Sequence, residues 1–393
     1  MRTASILQPA VAGAITAFVG FASSFAVIIK GLTAVGASDA QAASGLMALS
    51  IAMGLAGIGL SLWSRMPISC AWSTPGAALL ATTGAVSGGF AGAVGAFLVV
   101  GLLIVAAGLI KPFGRAVAAI PASLANAMLA GILFALCLAP VQAMVAAPLL
   151  AAPIIVAWLL VVRWRRVYAT PAAAIVAGLI IAATSPGASL SIGDIMPQPI
   201  PLTPSFSTDA ILSLGLPLFI VTMASQNLPG FAVLSAYGYR PEPRPPLVVT
   251  GLFTLLAAPF GGHAVNLSAI TAAMCAAPDA HPDPAKRWIA AATAGAVYIL
   301  FGLAAGAVTH FVAGSPILIE AVAGLALLGA FGSALHNALT EISEREAALA
   351  TFLVAASGVS FFGVGGAFWG LLAGGAILVF TRAGALAPLP PKS

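Results

Sequence analysis

Charge is what this sequence has least of. Asp, Glu, Lys and Arg make up 6% of its 393 residues, where a soluble globular protein carries about a quarter. That deficit excludes a water-soluble fold with an ordinary solvated surface. Cysteine is also scarce. Cys70, Cys137 and Cys275 lie in apolar context and form no spaced pairs, which excludes a disulfide framework or a zinc site and leaves them as small packing residues. No "GxxxxGK" phosphate loop occurs, so nothing points to ATP hydrolysis. A cleavable leader is not expected, because "MRTASILQPAVAGAITAF" lacks a small-residue cleavage site and runs into the first apolar segment. No residue pattern requires a metal or an organic cofactor.

What is present is apolar length. Hydrophobic residues make up 61% of the chain, and its mean hydropathy is +1.10. Apolar runs, nearly all of roughly 17–25 residues and so long enough to cross a bilayer, recur from end to end. The expected fold class is an all-α polytopic membrane protein. The runs fall at 9–30, 43–62, 67–87, 90–110, 116–138, 143–162 and 170–192. After the polar-leaning loop "SIGDIMPQPIPLTPSFSTDA" they resume at 210–228, 246–259, 261–277, 288–311, 316–338, 346–363 and 366–383. That makes fourteen, the last two divided at "GVGG". With the N-terminus inside, every Lys and Arg except Lys30 falls on the cytoplasmic side, as the positive-inside rule expects, and both termini are cytoplasmic. The formal charge of +5 then reflects topology, and nucleic acid is not an expected partner.

Fourteen spans divide into seven and seven, and an odd number per half inverts one half against the other. Echoes run in the same order through both. "FASSFAVIIKGLTAVG" resembles "TMASQNLPGFAVLSAYG", with Ser23 opposite Ser225 and Gly36 opposite Gly238. "AMLAGIL" in span five resembles "EAVAGLAL" in span twelve. The expected repeats cover 1–200 (spans one to seven) and 201–393 (spans eight to fourteen). Inverted repeats with interrupted helices in matching places are the signature of secondary transporters.

The interruptions are visible. In "MPISCAWSTPGAALL", Pro75 cannot donate an N–H but suits a first helical turn, and Ser73 and Thr74 are good N-caps. This predicts an extended stretch from Pro67 to about Trp72 and a half-helix from about Pro75 outward. In "APFGGHAVNLSAITAAMCAA", Pro259, Gly261 and Gly262 oppose helix, Asn266 or Ser268 can cap, and a half-helix runs inward from about Leu267. Two helix starts would then face each other near the bilayer midplane, each with unpaired N–H donors and about half a positive charge. Such a pair can hold an anion without a buried cation.

Three motifs together, "MPISCAWSTPGAALL", "ASQNLPGFAVLSAYGY" and "APFGGHAVNLSAITAAMCAAPDAHPDPAKRW", resemble the BenE-type benzoate/proton symporter family over nearly the whole chain. The resemblance implies a multi-pass importer of benzoate or a related aromatic carboxylate in the bacterial inner membrane, driven by the proton gradient. It also implies the fold of the nucleobase transporters and the sulfate-permease group. There, spans one to four and eight to eleven form a core domain, spans five to seven and twelve to fourteen a gate domain, and homodimers are common.

On that reading, Ser73, Thr74 and Asn266, with the half-helix amides, are candidates for the carboxylate, and Trp72 for the ring. Each also has a plainer reading, as a helix cap or a packing residue. Span-eight side chains meet substrate in nucleobase transporters of this fold, which makes Ser225, Gln226 and Asn227 candidates by resemblance. Helix–helix hydrogen bonding is the alternative. For the proton, His263 lies in the extended part of span ten and titrates in the physiological range. Glu320 is the one acid in the interior of a span, and carriage of the substrate as its neutral acid is a third route. A nucleobase or another organic anion is the alternative cargo, although Gln226, Asn227, His263 and Asn266 stand where carboxylates for ring N–H groups would be expected. A channel of the same fold would need no coupling residue. An enzyme is not expected: Ser73 with His263 is the only nucleophile–base pair, and nothing orients it. Lys30 is expected to snorkel to the outer interface, and "RWRR" at 163–166 to anchor topology against lipid headgroups.

Overall fold

The structure, a computed structural model, describes residues 6–118, 120–184, 197–313, 315–361 and 364–385. Arg2, Gly363 and Lys392, on which the topological reading drew, lie outside the described residues. Among the described residues, six helices are long and apolar enough to span a membrane: Leu7–Ala34, Asp39–Ser64, Gly89–Leu109, Ala122–Ala146, Thr208–Ala236 and Pro316–Leu339. Shorter apolar helices lie at Pro148–Trp164, Ala169–Thr184, Arg244–Phe260 and Gly366–Arg382. The protein is a multi-pass, predominantly helical membrane protein.

The first apolar run is broken. Helix α1 (Leu7–Ala22) ends before Ser23, and α2 (Phe25–Ala34) begins after Ser24. Both serine hydroxyls donate back to the carbonyl of Gly20, at 3.1 and 2.9 Å, and so occupy an acceptor at the break. Helix α3 (Asp39–Ser64) starts in a capping box of Ser38 and Gln41. Strand β1 (Cys70–Trp72) and α4 (Thr74–Thr83) follow, then α5 (Gly89–Leu109) and α6 (Lys111–Ala118). Next come α7 (Ala122–Cys137), α8 (Ala139–Ala146), α9 (Pro148–Trp164) and, past a 3-10 turn at Arg166–Tyr168, α10 (Ala169–Thr184).

Helix α11 (Thr208–Ala236) is continuous but widens into two π turns, at Ile211–Gly215 and Met223–Asn227. After α12 (Arg244–Ala257) come β2 (Val265–Leu267) and α13 (Ala269–Ala276). The remaining helices are α14 (Trp288–Leu303), α15 (Ala305–Ala313), α16 (Pro316–Leu339), α17 (Arg345–Ala356) and α18 (Gly366–Ala385).

Helix packing sorts into two groups. In one, α14 packs on α1 and α3, α12 on α5, and α4 on α2. In the other, α7 packs on α16 and α17, α17 on α18, and α9 on α10. Small residues set the close approaches, as expected where lipid removes most of the hydrophobic drive between helices. A Cβ added to Gly54 of α3 would lie 2.5 Å from the carbonyl oxygen of Gly295 on α14, and one on Gly295 would lie 2.6 Å from that of Gly54. The two groups touch through α2 against α16 and α4 against α7.

Candidate functional site

Strands β1 and β2 pair antiparallel, Cys70 opposite Leu267, Ala71 opposite Asn266 and Trp72 opposite Val265. Two further backbone bonds extend the pairing, Ser73 N–H to the Ala264 carbonyl at 3.1 Å and Ser268 N–H to the Ser69 carbonyl at 3.0 Å. Because the strands run in opposite directions, α4 and α13 leave opposite ends of the pair. The two helix starts are thereby held beside one another by a short sheet.

Local chemistry fixes each start. The Ser73 hydroxyl accepts from Gly76 N–H at 3.1 Å, with Pro75 inside the first turn. The Ser268 hydroxyl accepts from Thr271 N–H at 3.3 Å. Of the two caps considered for the second half-helix, Ser268 takes the role. Asn266 lies one step inside β2, and the helix starts at Ala269, slightly later than Leu267. Among the described residues, the amides of Thr74, Ala269 and Ile270 have no hydrogen-bond partner, as first-turn amides lack one within the helix.

A cavity of about 400 Å³ opens onto both starts, within the usual range for small-molecule sites. Thr74 and Pro75 of α4 line it, as do Ser268, Ile270 and Thr271 at the start of α13. Ser23 and Ser24 at the α1–α2 break and Gln226 in the second π turn of α11 complete this end. Trp158 of α9, Arg166 and Thr170 by the α9–α10 turn, and Leu325, Gly329 and Ser333 of α16 form the other. The cavity thus lies between the two packing groups.

Trp72 lies in the cavity wall at 2% exposure; its indole N–H donates to Ser24 Oγ at 2.9 Å, and its ring lies 5.3 Å from that of Phe21. Thr74 and Gln226 line the cavity, half-buried, with side chains that make no hydrogen bond among the described residues. Ser73, Asn227, His263 and Asn266 are fully buried behind the wall. Asn227 Oδ1 accepts from Leu267 N–H at 2.9 Å, which ties α11 to β2. Thr222 donates to Ser73 Oγ at 2.9 Å.

His263 Nε2 lies 2.9 Å from the Ser73 carbonyl oxygen and donates to it, since a carbonyl only accepts. His263 Nδ1 and Asn266 Oδ1 are buried without a hydrogen-bond partner among the described residues. Ser225 donates to the Val221 carbonyl within its own helix. Glu320 is not at this cavity. It pairs with Lys30 at 3.0 Å, bridging α16 to α2, beside a separate space of about 220 Å³ that Thr33 and Asp39 also line.

Several cavity residues had no sequence argument behind them. Ser23 and Ser24 stood in the repeat comparison as an "SS" pair, but nothing local shows that the helix breaks there. Arg166, inside "RWRR", differs in no local respect from its neighbours. Chemically, the end at the helix starts offers backbone N–H groups, hydroxyls and an amide, with an indole in the wall. That set suits a small oxyanion with an apolar body. Among the described residues, no group of His, Cys, Asp and Glu is arranged to hold a metal.

Comparison with known proteins bears on the fold and the family. The chain is 43% identical over 386 residues to the inner membrane protein YdcO of Escherichia coli, covering 96% of this chain and 97% of that one. It is 31% identical over 377 residues to the benzoate membrane transport protein of Acinetobacter baylyi, covering 94% and 93%. In fold it resembles the transmembrane domain of the cyanobacterial bicarbonate transporter BicA, with a TM-score of 0.58 at 17% identity and 97% of both chains covered. It also resembles SLC26A9, with a TM-score of 0.61 at 14% identity, covering 96% of this chain and 66% of that one. The fold is therefore SLC26/BicA-like. The model of the BenE family, described as benzoate membrane transport protein, matches residues 4–380. A membrane transporter and not an enzyme, located in the membrane as a multi-pass protein, the chain belongs to the BenE benzoate membrane transport family.

Proposed function

We propose that this protein imports benzoate or a closely related aromatic carboxylate by symport with protons across the bacterial inner membrane. The observation that carries the reading is the shared cavity of the two half-helix starts. Their uncapped amides at Thr74 and Ile270 supply donors and positive dipole ends for a carboxylate. Thr74 and Gln226 add hydrogen bonds, and Trp72, Trp158 and Leu325 provide a wall for the ring. The caps Ser73 and Ser268, with Asn227, Asn266 and His263 behind them, hold the amides in place.

Fourteen spans in two inverted repeats, over 1–200 and 201–393, remain our topological reading. In its support, Gly36 and Gly238, paired in the sequence comparison, both have positive φ (103° and 86°) just past a helix end. The group containing α1–α5 and α11–α14 corresponds to the core domain, and the group around α7–α10 and α16–α18 to the gate. In the cytoplasmic-termini topology the α9–α10 turn faces the cytoplasm and the Lys30–Glu320 pair the outside. The cavity is then open inward, with the pair closing the outer side.

His263 is the proposed proton site. It lies behind the cavity wall, hydrogen-bonded to the Ser73 carbonyl, so its charge acts on the start of α4 itself. Glu320 is the second reading, favoured by its pairing with Lys30: a proton on Glu320 releases the outer closure. We further propose that two copies form the homodimer common to this fold. Uptake of labelled benzoate into proteoliposomes, with and without an inward-directed proton gradient, tests the function. Gradient-dependent accumulation that unlabelled benzoate competes away, and uracil does not, is the expected result. Uracil accumulation in its place would make this a nucleobase carrier.

A further inference from the structure

Among the described residues, Arg166 is the only charged side chain that lines the cavity. It stands on the 3-10 turn between α9 and α10, in the packing group opposite the half-helices. Its guanidinium lies against α16 at Gly329, where an added Cβ would sit 3.4 Å from Nη2. No hydrogen bond or ion pair engages it among the described residues. Arginines with structural work here look different. Arg287 donates to the carbonyls of His281 and Ala276 at 2.7 and 2.8 Å, and Arg382 pairs with Glu344. The hydroxyls of Thr170, one helical turn after Arg166, and Ser333, one turn after Gly329, also lack partners. Three open donors therefore line the side of the cavity formed by α10, α16 and the turn before α10.

We propose that Arg166 is a positioning residue for the transported anion. Its guanidinium meets the carboxylate on this side of the cavity, flanked by Thr170 and Ser333. The inference rests on the aromatic-carboxylate reading above and adds a second station to it. A planar guanidinium matches a carboxylate with two parallel hydrogen bonds. Arg166 is exposed, so water and salt screen the contact. A weak, screened cation suits a waypoint. A deeply buried one would hold the anion against release.

Equilibrium binding of labelled benzoate to the full chain in nanodiscs tests this. Arg166→Gln is expected to raise Kd about threefold to tenfold at low ionic strength, the range for a partly screened charged contact. The difference should shrink as salt is raised, and Arg166→Lys should recover part of it. Arg163→Gln should bind as wild type does. In wild-type protein, benzoate should also slow phenylglyoxal modification of Arg166, mapped by mass spectrometry, relative to Arg163; this arm needs no variant to fold. Wild-type affinity in Arg166→Gln at low salt, or a loss of affinity indifferent to salt, would overturn the inference and leave the benzoate reading standing. Absence of benzoate protection at Arg166 would do the same. A wild-type protein that binds no benzoate would remove the reading and this inference with it.

Discussion

Gln226 and Asn227 are adjacent amides in one π turn, and the structure gives them opposite work. Gln226 is half-buried on the cavity with its side chain unpaired, whereas Asn227 is fully buried and accepts the Leu267 N–H at 2.9 Å. Asn227→Ala would leave that strand amide, at the end of β2, without a partner. An orphaned buried donor costs about 1–3 kcal/mol, and no water in the bilayer interior can replace the lost acceptor. The variant is therefore expected to melt several degrees lower and to give less folded protein. Once folded, it should keep benzoate affinity within about twofold, since no cavity-facing group has gone. Gln226→Ala should do the reverse. It leaves the melting temperature unchanged and weakens benzoate binding by roughly 0.5–1.5 kcal/mol, the net worth of one hydrogen bond. Thermal unfolding in detergent and equilibrium binding on the same preparations give both numbers. A thermally normal Asn227→Ala with selectively weakened binding would refute the division of labour and place Asn227 on the cargo.

His263→Gln should still bind benzoate but fail to accumulate it under an imposed pH gradient; normal accumulation would move the proton to Glu320 or to the neutral acid. Glu320→Gln removes an ion pair whose side chains are 28% and 39% exposed, so it should cost stability under about 1 kcal/mol. It should, however, open the outer side. A cysteine placed at Ala26, buried beside the pair in a cysteine-free background, would then react faster with an impermeant maleimide. The double exchange Lys30→Glu with Glu320→Lys should restore slow labelling. Gly54→Val would drive side-chain atoms into the Gly295 carbonyl and is expected to destabilise the α3–α14 crossing by about 1–3 kcal/mol, measured by thermal unfolding.

Much of the local architecture was readable because its causes lie within a few residues. Apolar length marked the long helices. Ser73 with Pro75, and Ser268 after two glycines, carry their own instructions to end an extended stretch and begin a helix. The break at Ser23 and Ser24 was not readable, since a Ser–Ser pair is tolerated inside a helix. Here it becomes a break only where both hydroxyls turn back to Gly20 and the Trp72 indole docks on Ser24. Asn266 could have capped the second half-helix by residue type alone. Its place opposite Ala71 in the strand pair decided otherwise.

By itself, then, the chain's chemistry settled that this is a membrane protein with helices interrupted at matching motifs, because burial in lipid and capping act within a turn or a span. Which polar groups meet the cavity was settled by contacts between segments far apart in the chain. Strand β1 needs β2 to bring the helix starts together, Leu267 claims Asn227 and leaves Gln226 open, Lys30 claims Glu320, and the α9–α10 turn sets Arg166 against Gly329 of α16. A side chain's availability to a ligand depends on whether the rest of the fold has already taken its hydrogen bonds, and no window of sequence contains that information.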